Sequence, residues 1–132
     1  MAKEDFFIYP ISFLALAPAA TASTVLQIDA SADFCWYYGA YSADVAAAGQ
    51  TASSRVYPLV NILITPTDSN AQFMQSALPL THLFGNGENP FVLPRMRVFA
   101  AQTAVTIQVT NRDAAQTYNL FLSLIGLKRF RV

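Results

Sequence analysis

The chain has 132 residues with a formal net charge of zero, and only 12% of them are charged while 54% are apolar. This length fits one domain, and ordinary soluble domains carry about 25% charged residues. Much of the folded surface must therefore be apolar or neutral-polar, which favours a protein that works in an assembly. The lack of a basic excess argues against nucleic acid as a direct partner.

The N-terminal stretch is an apolar run over residues 6–17 that ends in small residues, as in a secretory signal peptide. The charges before it have the wrong sign, because Glu4 and Asp5 outnumber Lys3. The run is also too short to span a membrane. We predict a strand over residues 7–16, with Pro10 at an edge or a bulge, and a short N-terminal arm over residues 1–10.

Two strands are predicted next, over residues 24–29 and 33–41. The second is strongly aromatic, and strict alternation would place Phe34, Trp36 and Tyr38 on one face. These three rings are expected to be core or interface anchors. Stacking on sugar rings is the alternative for the same residues.

The middle of the chain alternates between turn signals and short apolar segments. Residues 42–54 are expected to form a loop and residues 55–65 a β-branched strand. Residues 71–77 are a weaker strand candidate and residues 80–84 a short one, and the sequence GNGENP after them is the clearest turn. Strands over residues 91–94 and 95–100 follow.

The C-terminal third has the clearest alternation. Residues 104–110 predict a strand, and a turn at residues 111–113 predicts a hairpin with a last strand over residues 117–132. The last strand is apolar on both faces, which is typical of a strand that is central in a sandwich or covered by a partner. One face has Tyr118, Leu120, Leu122 and Leu124, and the other has Phe121, Ile125 and Leu127.

Seven to nine predicted strands without an amphipathic helix indicate an all-β, single-domain β-sandwich over residues 1–132. The strand number favours an eight-stranded jelly roll, and an immunoglobulin-like sandwich is the alternative.

The sequence offers no catalytic or metal-binding motif. Cys35 and His82 are the only residues of their types, so a metal cluster or a thiol–imidazole pair is not expected. Asp29 and Asp33 flank a turn, where acidic residues are commonly turn and cap groups rather than a glycosidase pair. We therefore predict a protein that is not an enzyme and has no cofactor, although a catalytic centre on another chain stays open.

Three short segments resemble small jelly-roll cement, or decoration, proteins of tailed-bacteriophage heads. The first segment follows the pattern I-D-x-x-x-D-F-x-W with Ile28, Asp29, Asp33, Phe34 and Trp36. The second is the Pro-punctuated stretch GNGENPFVLPRMRVF, and the third follows L-x-G-x-K-R-F with Leu124, Gly126, Lys128, Arg129 and Phe130.

The resemblance implies a structural virion protein on the capsid exterior, assembled in the host cytoplasm. It implies the major capsid protein and further copies of itself, as a homodimer or homotrimer, as partners, and no membrane. The alternative function is a carbohydrate-binding or host-recognition module of a phage tail or fibre.

Interface residues are expected in the N-terminal arm, in the aromatic strands and in a basic C-terminal tail over residues 128–132. The candidates are Phe6, Phe7, Tyr9, Trp36, Tyr38, Phe91, Arg129, Phe130 and Arg131.

Overall fold

The computed structural model describes residues 3–45, 58–66, 74–86 and 89–130. Nine strands lie in these ranges, and the short 3-10 helix Leu80–His82 is the only helical segment described there. The strands are β1 (Glu4–Leu16), β2 (Thr21–Gln27), β3 (Ala32–Val45), β4 (Val60–Pro66), β5 (Leu78–Pro79), β6 (Gly85–Asn86), β7 (Phe91–Phe99), β8 (Ala104–Asn111) and β9 (Tyr118–Phe130). The all-β prediction is confirmed.

The strands form two sheets packed as a sandwich. In the larger sheet β9 lies between β1 and β3, and β7 and the two-residue β6 pair with the other side of β3; the smaller sheet has the order β2-β8-β4-β5. Four antiparallel pairs are nested along the chain, namely β1 with β9, β2 with β8, β3 with β7 and β4 with β5. This nesting is a long hairpin rolled into two sheets, which is the jelly-roll topology that the sequence predicts.

The immunoglobulin-like alternative is wrong because of where the first two strands lie. An immunoglobulin sandwich places its first two strands in one sheet, whereas β1 and β2 belong to different sheets. The chain passes from one sheet to the other through a tight turn between β1 and β2. In this turn the Ala20 amide donates to the Ala17 carbonyl at 3.1 Å, and Ala19 has a φ of 60°.

The core forms where the inward faces of the two sheets meet. Val105, Ile107 and Val109 of β8 are fully buried, as their predicted alternation requires, and the inward residues of β9 are equally buried. Burial of each large apolar side chain stabilises the fold by about 1.5–3 kcal/mol. β9 is central, as predicted, since it pairs with β1 on one side and β3 on the other.

A β-bulge in β3 reverses the predicted facing of Tyr38. The register of β3 with both β9 and β7 shifts between Trp36 and Tyr38. One extra residue inverts the alternation that follows it, so Phe34 and Trp36 are fully buried while Tyr38 is exposed on the outer face. The Trp36 indole N–H donates to the Tyr38 carbonyl at 2.6 Å and ties the bulge together.

The predicted short strand over residues 80–84 is instead the 3-10 turn. The amides of Leu83 and Phe84 both donate to the Leu80 carbonyl at 3.0 Å. This winding buries Leu80, Leu83 and Phe84 together, whereas an extended strand would point the adjacent Leu83 and Phe84 to opposite faces.

The predicted hairpin at residues 111–113 is also wrong, because β8 and β9 lie in different sheets. Each strand is already paired on both sides, β8 with β2 and β4, and β9 with β1 and β3. No ladder position is left for them to pair with each other, so the turn crosses between the sheets.

Other strand boundaries differ from the expectation. The segments at 91–94 and 95–100 form one strand, β7, whose residues 93–96 lie opposite the bulge and accommodate Pro94. Residues 42–45 of the predicted loop belong to β3 instead. Residues 46–54 lie outside the described residues, as do residues 55–57 of the next predicted strand and residues 87–88 of the predicted turn. Residues 74–77 are described and form no strand.

The arm and the tail are parts of the larger sheet as far as the structure describes them. β1 pairs with β9 from Glu4 opposite Arg129 onward, so residues 4–10 are a strand rather than a free arm. Pro10 sits in this strand at the sheet edge, as predicted, and a register irregularity follows between Phe13 and Leu16. Residues 128–130 belong to β9, and Arg131 and Val132 lie outside the described residues.

Candidate functional site

The outer face of the larger sheet has an apolar band, formed by two rows of side chains that cross β1, β9, β3 and β7. The register places Phe6, Leu127, Cys35 and Val98 in one row. It places Ile8, Ile125, Tyr38 and Val92 in the other. Strands lie about 4.8 Å apart, so each row is about 14 Å long between its end strands.

Most side chains of the apolar band face solvent. Phe6 is 67% exposed and Val92 62% exposed, and Ile8, Tyr38 and Val98 are also exposed. Phe121 lies two rows away on β9 and is also exposed. Together these side chains expose on the order of 500 Å² of apolar surface, which is near the upper end of the range for the largest apolar patch on a monomeric protein. Such a surface is normally covered in a working protein.

A charged row borders the apolar band at one end, and two mixed rows that contain serines border it at the other. At one end Glu4, Arg129 and Asp33 lie side by side, and the Arg129 Nε is 3.5 Å from a Glu4 carboxylate oxygen. At the other end, the next rows are Pro10, Ser123 and Ala40, and then Ser12, Phe121 and Ser42. An apolar centre with a polar rim is the anatomy of a protein–protein interface.

The bulge and Gly126 together shape the centre of the apolar band. A Cβ placed on Gly126 would lie 1.9 Å from the carbonyl oxygen of Cys35, so only glycine permits this approach of β9 to β3. Directly beyond this contact, the extra residue in β3 turns the Tyr38 ring outward. The exposed aromatic ring at the centre of the apolar band, that of Tyr38, therefore depends on a local irregularity of the sheet.

The outer face of the smaller sheet has the opposite character. The outward positions of β2 are Thr21, Ser23, Val25 and Gln27, and those of β8 include Thr106, Gln108 and Thr110. This is the ordinary polar-out pattern of a solvated antiparallel sheet. The apolar band is thus a property of one sheet and does not follow from the composition of the chain alone.

The fold places the predicted interface residues in different environments. Phe6 and Tyr38 lie in the apolar band, and Arg129 lies in its charged border. Tyr9 and Trp36 are buried in the core, which is the other role expected for Trp36. Phe7, Phe91 and Phe130 are half-buried, and Arg131 lies outside the described residues.

Sequence reasoning missed six members of the apolar band, namely Ile8, Cys35, Val92, Val98, Ile125 and Leu127. The signal for two of them is the second apolar face of β9, to which Ile125 and Leu127 belong. For the others, only knowledge of the strand order would have brought them together, because β1, β3 and β7 are distant in the chain.

Lys128, which the sequence places in a basic tail, closes one end of the sandwich. Its Nζ lies 3.0 Å from the Asp29 Oδ2 and 3.8 Å from the centre of the Phe7 ring. The Tyr9 hydroxyl accepts a hydrogen bond from the Asp29 amide at 3.2 Å. These contacts join β1, β9 and the turn after β2, and they hold Lys128 in the fold rather than offering it to a partner.

Asp29 is a turn residue, as expected. Its Oδ1 accepts hydrogen bonds from the Ser31 amide at 2.8 Å and the Ser31 hydroxyl at 2.7 Å. The Ser31 bonds, followed by the bond from Lys128, lower the pKa of the Asp29 carboxyl from 3.8 to about 2. Asp33 is likewise used structurally, since its Oδ1 accepts the Ala101 amide at 2.8 Å.

We expect Asp29→Asn to destabilise the protein at neutral pH and to match the wild type in acid. Because the folded pKa lies below the ordinary value of 3.8, the charged carboxylate stabilises the fold above about pH 4, and this contribution is lost as the pH falls to about 2. The measurement is the difference in urea midpoint between variant and wild type over this range.

The control for this experiment is Asp5→Asn. The exposed Asp5 carboxylate is 3.4 Å from the Lys3 Nζ, and such surface pairs contribute little to stability. A difference between Asp29→Asn and wild type that stays constant from neutral pH to pH 2 would contradict the assigned role of the Asp29 charge.

The single thiol is unsuited to nucleophilic chemistry. Cys35 is fully buried, and burial raises the pKa of its thiol. Among the described residues, no three His, Cys, Asp or Glu side chains come together in a way that would hold a metal ion. In the same ranges, no helix has the length and apolar character needed to cross a membrane.

Comparisons with known proteins give no relative for this chain. A scan against protein-family models, a search of curated proteins and a search of solved structures each return no match.

Proposed function

We propose that this chain is a non-enzymatic structural protein of a virion that binds the capsid surface and joins neighbouring capsomers. The observation that carries the proposal is the apolar band, a largely exposed surface across four strands of one sheet that has a charged border at one end. A surface of this size and character calls for a macromolecular partner rather than a small ligand.

The virion role draws on the sequence resemblance to phage cement proteins and on the jelly-roll topology. Jelly rolls are common in viral capsid proteins and also in lectins, so the fold is a supporting analogy only. A zero net charge and few charged side chains suit a protein that remains assembled. Its mechanism would be multivalent binding, in which several modest contacts join capsomers through a high effective concentration.

The carbohydrate-binding alternative has less support from the geometry. A sugar platform needs exposed aromatic rings with polar neighbours. Of the aromatic trio in β3, Phe34 and Trp36 are fully buried, and the exposed Tyr38 lies in a row with Ile125 and Val92. The apolar row offers no hydrogen-bonding groups beside the ring to select sugar hydroxyls.

Binding to capsid shells that lack this protein tests the proposal with two matched variants. Val92 is 62% exposed in the apolar band, and Val25 is 60% exposed on the outer face of the smaller sheet. We expect Val92→Asp to weaken co-sedimentation with shells at least tenfold, because a buried unpaired carboxylate is costly. Val25→Asp should bind like the wild type.

Both variants change one exposed valine, so each is expected to keep a stability within about 1 kcal/mol of the wild type. Failure of the wild-type protein to sediment with shells at any concentration would overturn the virion role. Equal losses from Val92→Asp and Val25→Asp would remove the apolar band as the contact surface.

A further inference from the structure

We infer that the apolar band is covered by the apolar band of a second copy of this chain, so that the larger sheets of two jelly rolls stack face to face. This inference rests on the proposed function and names a second copy, rather than the capsid, as what covers the band. On this assignment Val92→Asp weakens binding to shells by separating two capsid-binding copies, which removes their multivalency. It assigns a specific partner and a specific geometry to the surface described above.

The area of the outer face fits a stable dimer. β1, β9 and β3 are 13, 13 and 14 residues long, and β7 is 9 residues long. With about 4.8 Å between strands and about 3.4 Å per residue, the face covers roughly 700 Å². A standard interface buries about 800 Å² per partner, so this face and its rim supply nearly the whole area without another element.

The charge distribution permits self-association. Two copies of a chain always have the same net charge, and the formal net charge of this one is zero, so long-range repulsion does not oppose pairing. The two rows of the apolar band contain no charged side chain. Stacking the two rows on themselves would therefore bury no charged member of the rows, and the charged border would remain at the rim.

The charged border is compatible with a two-fold axis that runs parallel to the strands, midway between β9 and β3. This axis places each apolar row over itself and overlaps the whole outer face. It also places the Glu4–Arg129–Asp33 row over itself, with Arg129 of each copy facing Asp33 of the other, so that opposite charges meet at the rim. We assign this arrangement because it avoids like-charge contacts.

Pairing through the edge of β1, the outermost strand of the apolar band, is disfavoured. Pro10 lies in the middle of this edge strand and has no amide hydrogen to donate to a neighbouring strand. Further along, Ala15 has a φ of 55° and its amide donates to the Asn119 side chain at 2.9 Å, so the strand bends there. A second copy could not continue the ladder along β1 without interruption.

Sedimentation velocity of the full chain over a range of concentrations tests the dimer. The wild type is expected at twice the mass of the chain, and Val92→Asp should raise the dimer dissociation constant about 100-fold, since the two-fold axis introduces the carboxylate twice. Phe6→Glu should act in the same way. The matched controls Val25→Asp and Leu14→Glu should remain dimeric, because Leu14 is as exposed as Phe6, at 67%, but lies outside the apolar band.

A wild-type chain that stays monomeric up to about 100 μM would overturn the inference, as would equal dissociation of the band and control variants. The shell experiment separates this inference from the proposed function. A dimer that ignores shells would support the inference and overturn the virion role. A monomer that binds shells, and loses binding with Val92→Asp, would support the virion role and show that the capsid itself covers the band.

Discussion

Replacing Gly126 with alanine is expected to lower the free energy of unfolding by at least about 3 kcal/mol. The new Cβ would lie 1.9 Å from the Cys35 carbonyl oxygen and 2.9 Å from its carbonyl carbon. Both are backbone atoms of the neighbouring strand, so no flexible side chain can move aside. Relief requires separation of β9 from β3, the pair at the centre of the larger sheet.

Urea unfolding followed by Trp36 fluorescence measures the effect. Trp36 is the only tryptophan, is fully buried and lies beside the bulge, so its emission reports the strand contact directly. Ser123→Ala is the control, because it changes a half-buried residue of the same strand that already has a Cβ. If Gly126→Ala unfolds at the wild-type urea midpoint, the close approach of the two strands is wrong.

The second large effect is expected from Asn111→Asp, at about 3 kcal/mol or more of lost stability. Asn111 is fully buried where the chain crosses between the sheets. Its Nδ2 donates to the carbonyls of Leu16, Ala17 and Gln116 at 3.1, 3.2 and 2.8 Å. Its Oδ1 accepts the Asp113 amide at 2.9 Å.

Aspartate has the shape of asparagine but presents an oxygen where the three carbonyls need a donor. A carboxylate surrounded by carbonyl oxygens and buried would have a raised pKa, so the charged form is the destabilised one. The loss should therefore be largest at neutral pH and shrink as the pH falls below the raised pKa. The measurement is the urea midpoint of the variant relative to the wild type at neutral and acidic pH.

Asn119→Asp is the matched control for this substitution. The Asn119 Oδ1 accepts the Ala15 amide at 2.9 Å, and a carboxylate oxygen can accept the same bond. Asp44 lies opposite on β3 and adds a modest like-charge penalty, so a loss below about 1 kcal/mol is expected. Equal losses for the two variants would show that the donors of Asn111 are not what holds the crossing.

Alternation within single strands was the part of the fold that could be predicted. In β8, Val105, Ile107 and Val109 alternate with Thr and Gln, so the two-residue period of a strand predicts which side chains are buried. In β9 the apolar residues occupy both faces, which is typical of a strand that is central or covered by a partner. The bulge in β3 could not be seen, because every position from Phe34 to Tyr38 is aromatic or apolar, and an extra residue leaves no trace in such a pattern.

Pairing between distant strands was the part that could not be predicted. Residues 4–10 read as an arm because their partner, β9, lies more than a hundred residues away. The turn residues at 111–113 read as a hairpin, yet Asn111 and Asp113 hold a crossing between sheets. The same limit applies to the apolar band, whose rows combine residues from four strands and are defined only by the register.

The nested pairing of the strands has a consequence for how the chain acquires its structure. β1 and β3 both pair with β9, which leaves the ribosome after every other strand described here. Until then, the apolar faces of both strands have no completed sheet to enter. Folding must close loops of more than a hundred residues before β1 can join the central ladder, which makes folding slow and leaves the nascent chain prone to aggregation. Chaperone protection during synthesis is therefore of more value to this protein than to one built from consecutive hairpins.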